Sequence, residues 1–146
     1  MPPPSSPPRR EVWDGLVALV VIALDVPLAE VRAATRGPAR ASLARHIACY
    51  LAVTTLGWTA SEAARICGRD RTTVRHALAR IEDRRDCPAF DAMVTTLEDA
   101  ALGLAGLAGV AERVPGLPMH HGAARQSRRL RASPTDTAQS VAGDRR

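Results

Sequence analysis

Apolar residues recur at helical spacing through most of this chain, and no stretch alternates with the two-residue period of a strand. Val12, Leu16, Leu19, Val20 and Ala23 place an apolar stripe on a helix over residues 11–24, and Glu11 suits its N-terminal dipole. That segment is apolar nearly all round, which predicts a largely buried helix. Pro27 opens a short second helix through about residue 34, because proline fits a first helical turn. Gly37-Pro38 then breaks the chain. A third helix spans residues 39–56, with Leu43, Ile47, Tyr50, Leu51 and Thr54 along one face, Arg40 and Arg45 off it, and Gly57 at its end.

Thr59-Ala60-Ser61-Glu62 has the form of a capping box, so a fourth helix starts there and ends at Cys67, with Gly68 as its left-handed terminus. Asp70 is placed to cap a fifth helix over residues 71–85. Pro88 opens a sixth, with Phe90, Met93, Val94, Leu97, Ala101 and Leu104 in register. Gly103, Gly106 and Gly109 each cost about 1 kcal/mol against Ala, so this helix is expected to fray there. The expected organisation is a disordered proline-rich N-terminus over 1–10, a helical domain over 11–105, and a frayed end with a basic disordered tail over 106–146. The fold class is all-α, a small helical domain.

Composition narrows the chemistry. The 146 residues are 46% hydrophobic and only 3% aromatic, so Leu, Val, Ile and Ala must supply the core. The net charge of +5 favours an anionic partner, nucleic acid before membrane. All 20 basic residues are Arg, which removes the Lys that a Walker-type phosphate loop or a Schiff-base enzyme requires; GC-rich coding is the simplest source of that bias. Cys49, Cys67 and Cys87 are too widely spaced for a disulfide framework or zinc knuckle and read as small buried hydrophobes. The apolar run 16–24 is shorter than the ~20 residues of a membrane span, and the N-terminus lacks a signal peptide, so a cytoplasmic, nucleoid-associated protein is expected. His120-His121 lies in the tail without acidic or cysteine companions and reads as a chance surface pair.

Two short helices joined by a glycine turn form a helix-turn-helix over residues 59–83. On a wheel of the second helix, Val74, Ala77, Leu78 and Ile81 share one side. Thr72, His76 and Ala79 fall opposite, flanked by Thr73 and Arg75. In this motif the N-terminal residues of the second helix touch base edges in the major groove. Thr bonds donor or acceptor edges, Arg71 suits guanine O6 and N7, and Asp70 suits cytosine N4. Amides near Thr72 and Thr73 suit a phosphate. Plainer roles stand beside these: Asp70 and Thr73 as caps, His76 as a solvated histidine, and Arg75, Arg80, Arg84 and Arg85 as a solvated face beside Glu82 and Asp83. Residues 36–85 hold ten Arg against Glu62, Asp70, Glu82 and Asp83, a net of +6, which favours the DNA-binding role.

The run Gly68-Arg69-Asp70-Arg71-Thr72-Thr73-Val74-Arg75-His76-Ala77, followed by Arg80-Ile81-Glu82, resembles the signature of the C-terminal DNA-binding domain of the bacterial replication initiator DnaA. Ala44-Arg45-His46-Ile47-Ala48-Cys49-Tyr50-Leu51-Ala52 resembles that domain's long helix, and the similarity covers residues 17–99. The resemblance implies a Trp-repressor-like helical fold that reads a DnaA-box-like duplex. It implies major-groove contacts from Asp70, Arg71, Thr72, Thr73 and His76, and a minor-groove arginine that is either Arg36 or Arg40. It also implies phosphate contact or support from Arg45 and Arg69, with Arg75 beside them. Three departures stand out: Arg71 replaces the family's usual His, the segment between Glu62 and Arg69 is one residue shorter with a single Gly68, and Val53 falls where a basic residue is usual. The residues before 17 hold no counterpart of the initiator's ATPase domain. The expected function is therefore sequence-specific duplex binding that regulates transcription or replication initiation, with no cofactor, nucleotide, metal or enzymatic activity. A helical protein-interaction module docking through residues 100–111 is the alternative.

Overall fold

The computed structural model describes residues 9–35 and 37–108. Those residues form six α-helices and no strand: α1 Arg9–Leu24, α2 Leu28–Arg32, α3 Ala39–Tyr50, α4 Ala60–Cys67, α5 Arg71–Arg84 and α6 Pro88–Ala108. The all-α expectation holds. Leu16, Val20, Ile47, Leu51, Val74, Ile81 and Val94 are completely buried and join five parts of the chain in one core. Aliphatic side chains dominate it, as the composition requires, but Trp13, Tyr50 and Trp58 are buried too.

Several boundaries differ from the local pattern. Arg9 and Arg10 belong to α1, because each has a partner on α4 or its cap. Arg9 pairs with Glu62 at 2.8 Å and lies 5.4 Å over the Trp58 ring, while Arg10 donates to the Ile66 carbonyl at 2.9 Å. Helix α1 is not buried all round. Val12, Trp13, Leu16, Val17 and Val20 face the core, whereas Ala18 and Ala23 are exposed and Ile22 is 79% exposed. Helix α2 is shorter than expected, since Ala33 has already left helical geometry.

Helix α3 does not continue as α-helix to residue 56. Leu51–Thr55 widen into a π turn, after which Gly57 reverses the chain at φ +69° and the Trp58 amide donates to the Ala52 carbonyl at 3.0 Å. The β-branched run Val53-Thr54-Thr55 lies in this turn. The wider turn shifts the register, so Thr54 faces solvent instead of the core, and its hydroxyl donates to the Tyr50 carbonyl at 2.7 Å. Helix α6 runs straight through Gly103 and Gly106 to Ala108. Its contacts with α1 outweigh the glycine cost: Gly15 of α1 approaches so closely that an added Cβ would lie 2.6 Å from a Leu104 methyl.

Two features set the stability of this frame. The first is a polar hub at the end of α5. Arg85 pairs with Asp91 at 2.6 Å and Glu98 at 2.8 Å, donates to the Tyr50 hydroxyl at 3.0 Å and packs on the Tyr50 ring, while that hydroxyl donates to Glu82 at 2.7 Å. These bonds hold the Arg85 guanidinium well above the ordinary arginine range. The second is the end of α1, where Asp25 takes φ +49°, the only non-glycine among the described residues in the left-handed region. That conformation and the negative helix end both oppose an aspartate.

Replacing Arg85 with Ala is expected to lower unfolding free energy by about 2 kcal/mol, because Asp91 and Glu98 lose charge-assisted bonds at a half-buried site. Asp25→Gly is expected to raise it by about 1 kcal/mol. Urea unfolding of the two variants against the parent chain measures both, and opposite signs are the required result.

Candidate nucleic-acid interface

The helix-turn-helix is built by local chemistry. The Thr59 hydroxyl accepts from the Glu62 amide at 3.2 Å, and the Glu62 carboxylate accepts from the Thr59 amide at 2.8 Å, which completes the capping box. Those bonds, with Arg9 added, hold the Glu62 carboxyl below the usual carboxylate range. Helix α4 ends at Gly68, which takes φ 67° and ψ 36°, and the Arg69 amide then donates to the Ala64 carbonyl at 3.0 Å. A single glycine therefore suffices to make the turn.

Asp70 occupies the N-cap position of α5 with extended backbone, but its side chain makes no capping bond. The capping role suggested by the sequence is thus filled by backbone geometry alone. Beyond it, the wheel of α5 is reproduced. Val74, Ala77 and Ile81 are buried, Leu78 is half-buried, and Arg71, Thr72, Thr73, Arg75, His76, Ala79 and Arg80 are exposed. Asp70, Arg71, Thr72, Thr73, Arg75 and His76 are brought onto one exposed surface around the first two turns of α5. None of their side chains makes a hydrogen bond or ion pair within the described residues. Amides of the first turn likewise point out without a side-chain cap.

Three of the other arginines singled out by the sequence are differently employed. Arg40 donates to the Leu24 carbonyl at 2.8 Å, across the end of α1, and so braces that helix end. Arg45, expected off the packed face, is half-buried and donates to the Glu30 and Val31 carbonyls at 3.0 and 3.3 Å. Arg69 donates to the Ala33 and Ala34 carbonyls at 3.1 and 3.2 Å. Together these two clamp the end of α2 and the link beyond it. Burial, with Arg69 nearby, lowers the affinity of Arg45 for its proton. Arg45 and Arg69 thus fix backbone from the end of α2 into the link to α3. Arg36, and the tail with His120-His121, lie outside the described residues. Val53 sits half-buried in the π turn and brings no charge to this face.

Alongside the exposed turns of α5 runs a groove of about 550 Å³ between α3 and α5, lined by Arg45, His46, Arg69, His76, Arg80 and Arg84. Its wall is basic and continuous with the exposed face. The sequence reading left Arg80 and Arg84 as solvated charge and assigned His46 no role of its own. Helical spacing from His76 through Arg80 to Arg84 was a usable signal for the first two. His46 required the packing of α3 against α5. Arg85, grouped with them by sequence, turns away into its hub.

Burial lowers the His46 pKa below its ordinary 6.5, and Arg80, His76 and Arg45 lower it further. The folded state thus favours neutral imidazole. Its contribution to stability is complete above pH 6.5 and is lost as pH falls below that value toward the depressed folded pKa. Melting of the parent chain between pH 7 and pH 5 should therefore show a loss of Tm that His46→Gln reduces. An equal or larger loss in the variant would contradict this assignment. Among the described residues no cluster of three or more His, Cys, Asp or Glu could hold a metal, and no helix is long and apolar enough to cross a membrane. No protein-family model, curated protein or solved structure matches the chain, so the functional case rests on these residues and their arrangement.

Proposed function

We propose that this chain binds double-stranded DNA in a sequence-specific manner, with the first two turns of α5 in the major groove. The observation that carries the reading is the set of exposed, adjacent side chains there: Asp70, Arg71, Thr72, Thr73, Arg75 and His76 have no hydrogen-bond or ion-pair partner among the described residues. Buried Val74, Ala77 and Ile81 hold the opposite face of the same helix rigidly. A helix anchored on one side and chemically open on the other suits insertion into a groove. In this role Thr72, Thr73 and His76 read base edges, Arg71 reads guanine, and Asp70 accepts from a cytosine amine. Arg75 and Arg80 meet phosphates on either side.

The similarity of residues 68–82 to the DnaA C-terminal signature supports a box-like duplex site and a role in replication initiation or transcriptional control in a bacterial nucleoid. Arg71, in place of the family's histidine, alters one base preference. The sequence holds no Lys for a Walker-type phosphate loop, so nucleotide hydrolysis does not enter the proposal.

One observation favours a second reading. Leu102 and Leu107 on α6 are 55% and 68% exposed, which suits a helix that docks on another protein. The two readings separate in a gel-shift experiment at low salt, where an interaction module gives no shift with any duplex.

Selection from a random duplex pool defines the preferred site. On it, Thr72→Ala and His76→Ala are each expected to weaken binding by ~1–3 kcal/mol and to relax preference at one base pair. Arg75→Ala should weaken preferred and scrambled duplexes alike, and reduce the salt dependence by about one phosphate contact. Fluorescence anisotropy over a salt series reads all three. If Thr72→Ala and His76→Ala bind both duplexes as the parent chain does, α5 is not the reading element.

A further inference from the structure

Cys49 and Cys67 are 18 positions apart in sequence but line one cavity in the fold. Cys49 is buried in α3, and Cys67 is the half-buried last residue of α4, immediately before the Gly68 turn. Both are free thiols, and the Cys67 sulfur approaches the Ala64 carbonyl at 3.6 Å. They are not isolated packing groups. Both line a cavity of about 390 Å³, together with Arg10, Arg32, Arg45 and Arg69, and with Asp14 as an acidic member of the wall. The cavity is large enough for a small polar oxidant, and its positive walls favour a thiolate. The wide sequence spacing that argued against a disulfide framework therefore does not keep these two thiols apart. Cys87 is exposed and has neither companion nor cavity in common with them.

We infer that Cys49 and Cys67 are a thiol redox pair that closes to a reversible intramolecular disulfide on reaction with a peroxide. The roles within the pair are unequal. The Cys49 thiol beside it, and then the Arg69 amide and charge, lower Cys67 to about 7 against the opposing effect of burial. The Cys67 thiol beside it and burial push Cys49 upward, and the half-buried Cys67 is the more accessible of the two. An attacking thiol with a pKa near ambient pH combines a useful thiolate fraction with retained nucleophilicity. The Cys67 thiolate attacks one peroxide oxygen, the O–O bond breaks, and hydroxide leaves, so that Cys67 becomes a sulfenic acid. The Cys49 sulfur then attacks the Cys67 sulfur. The S–O bond breaks, the Cys49 proton and the departing hydroxyl form water, and the disulfide remains. Two thiols are oxidised and one peroxide is reduced. A dithiol reductant reverses the reaction.

The product would tie the residue preceding the Gly68 turn to α3, directly behind α5. This gives the chain a covalent means of stiffening its helix-turn-helix, and the chemistry is independent of whether α5 reads DNA.

The test is a peptide map of the full chain after brief treatment with hydrogen peroxide and alkylation of the remaining thiols. The expected product is a monomer lighter by two hydrogen atoms, with Cys49 and Cys67 in one linked peptide and Cys87 alkylated. Dithiothreitol should restore both thiols. Cys67→Ser should abolish the link, whereas Cys49→Ala should leave Cys67 as a sulfenic acid that dimedone traps. Cys87→Ser should leave the link intact, which separates it from dimerisation through Cys87. Alkylation of both Cys49 and Cys67 in the treated parent chain, or oxygen accumulating on Cys67 without a link, would overturn the proposal. The parent-chain map decides the matter even if a variant fails to fold.

Discussion

Arg85 holds the exposed helix in place at the end where apolar packing is thinnest. The buried seam of α5 runs from Val74 through Ala77 to Ile81 and stops there. Beyond it, a single guanidinium joins Tyr50 of α3 to Asp91 and Glu98 of α6. Arginine suits the position because its planar fork donates to several acceptors at fixed angles. Lysine would present a point charge without that geometry. At the other end, Gly68 sets the turn, and Arg69 reaches across to the Ala33 and Ala34 carbonyls. Helix α5 is thus anchored at both ends and along one side, and its outer face is left to whatever lies outside the protein.

The exclusively arginine composition takes on physical meaning in this frame. Helix C-terminal ends leave carbonyls without partners, and capping motifs satisfy only some of them. Arg40 serves the end of α1, Arg45 that of α2, and Arg10 that of α4. These side chains cross between segments and replace packing that a short helical domain lacks. The division of labour that results separates braces such as Arg45 and Arg69 from the unengaged Arg71 and Arg75.

Placement of the groove follows from the same packing. Helix α3 shares its most extensive contacts with α5, and the cleft between them collects His46 from one helix and His76, Arg80 and Arg84 from the other. The π turn at Leu51–Thr55 ends α3 in a form that no local rule anticipated, and it gives α6 a seat beside α1. Behind this surface, Cys49 of α3 and Cys67 at the end of α4 line one cavity. The exposed face of α5, an arginine-lined groove and two thiols are thus arranged around one short turn.

The sequence alone determined the elements and the face of α5. Helical periodicity, the Thr59–Glu62 capping box, the left-handed Gly57 and Gly68, and the spacing of Val74, Ala77 and Ile81 are local signals. Each acts within a turn or two of helix, and each holds in the fold. Exposure of Asp70 to Thr73, Arg75 and His76 followed from the same wheel. Only the tertiary structure decided which arginines are braces, why Arg85 differs from Arg84, where Thr54 points, and that Cys49 and Cys67 line one cavity. The physical reason is distance along the chain: guanidinium contacts such as Arg45 to Val31 and Arg10 to Ile66 join residues 14 and 56 positions apart. A hydrogen bond over that separation depends on how helices pack, and no periodic pattern records it.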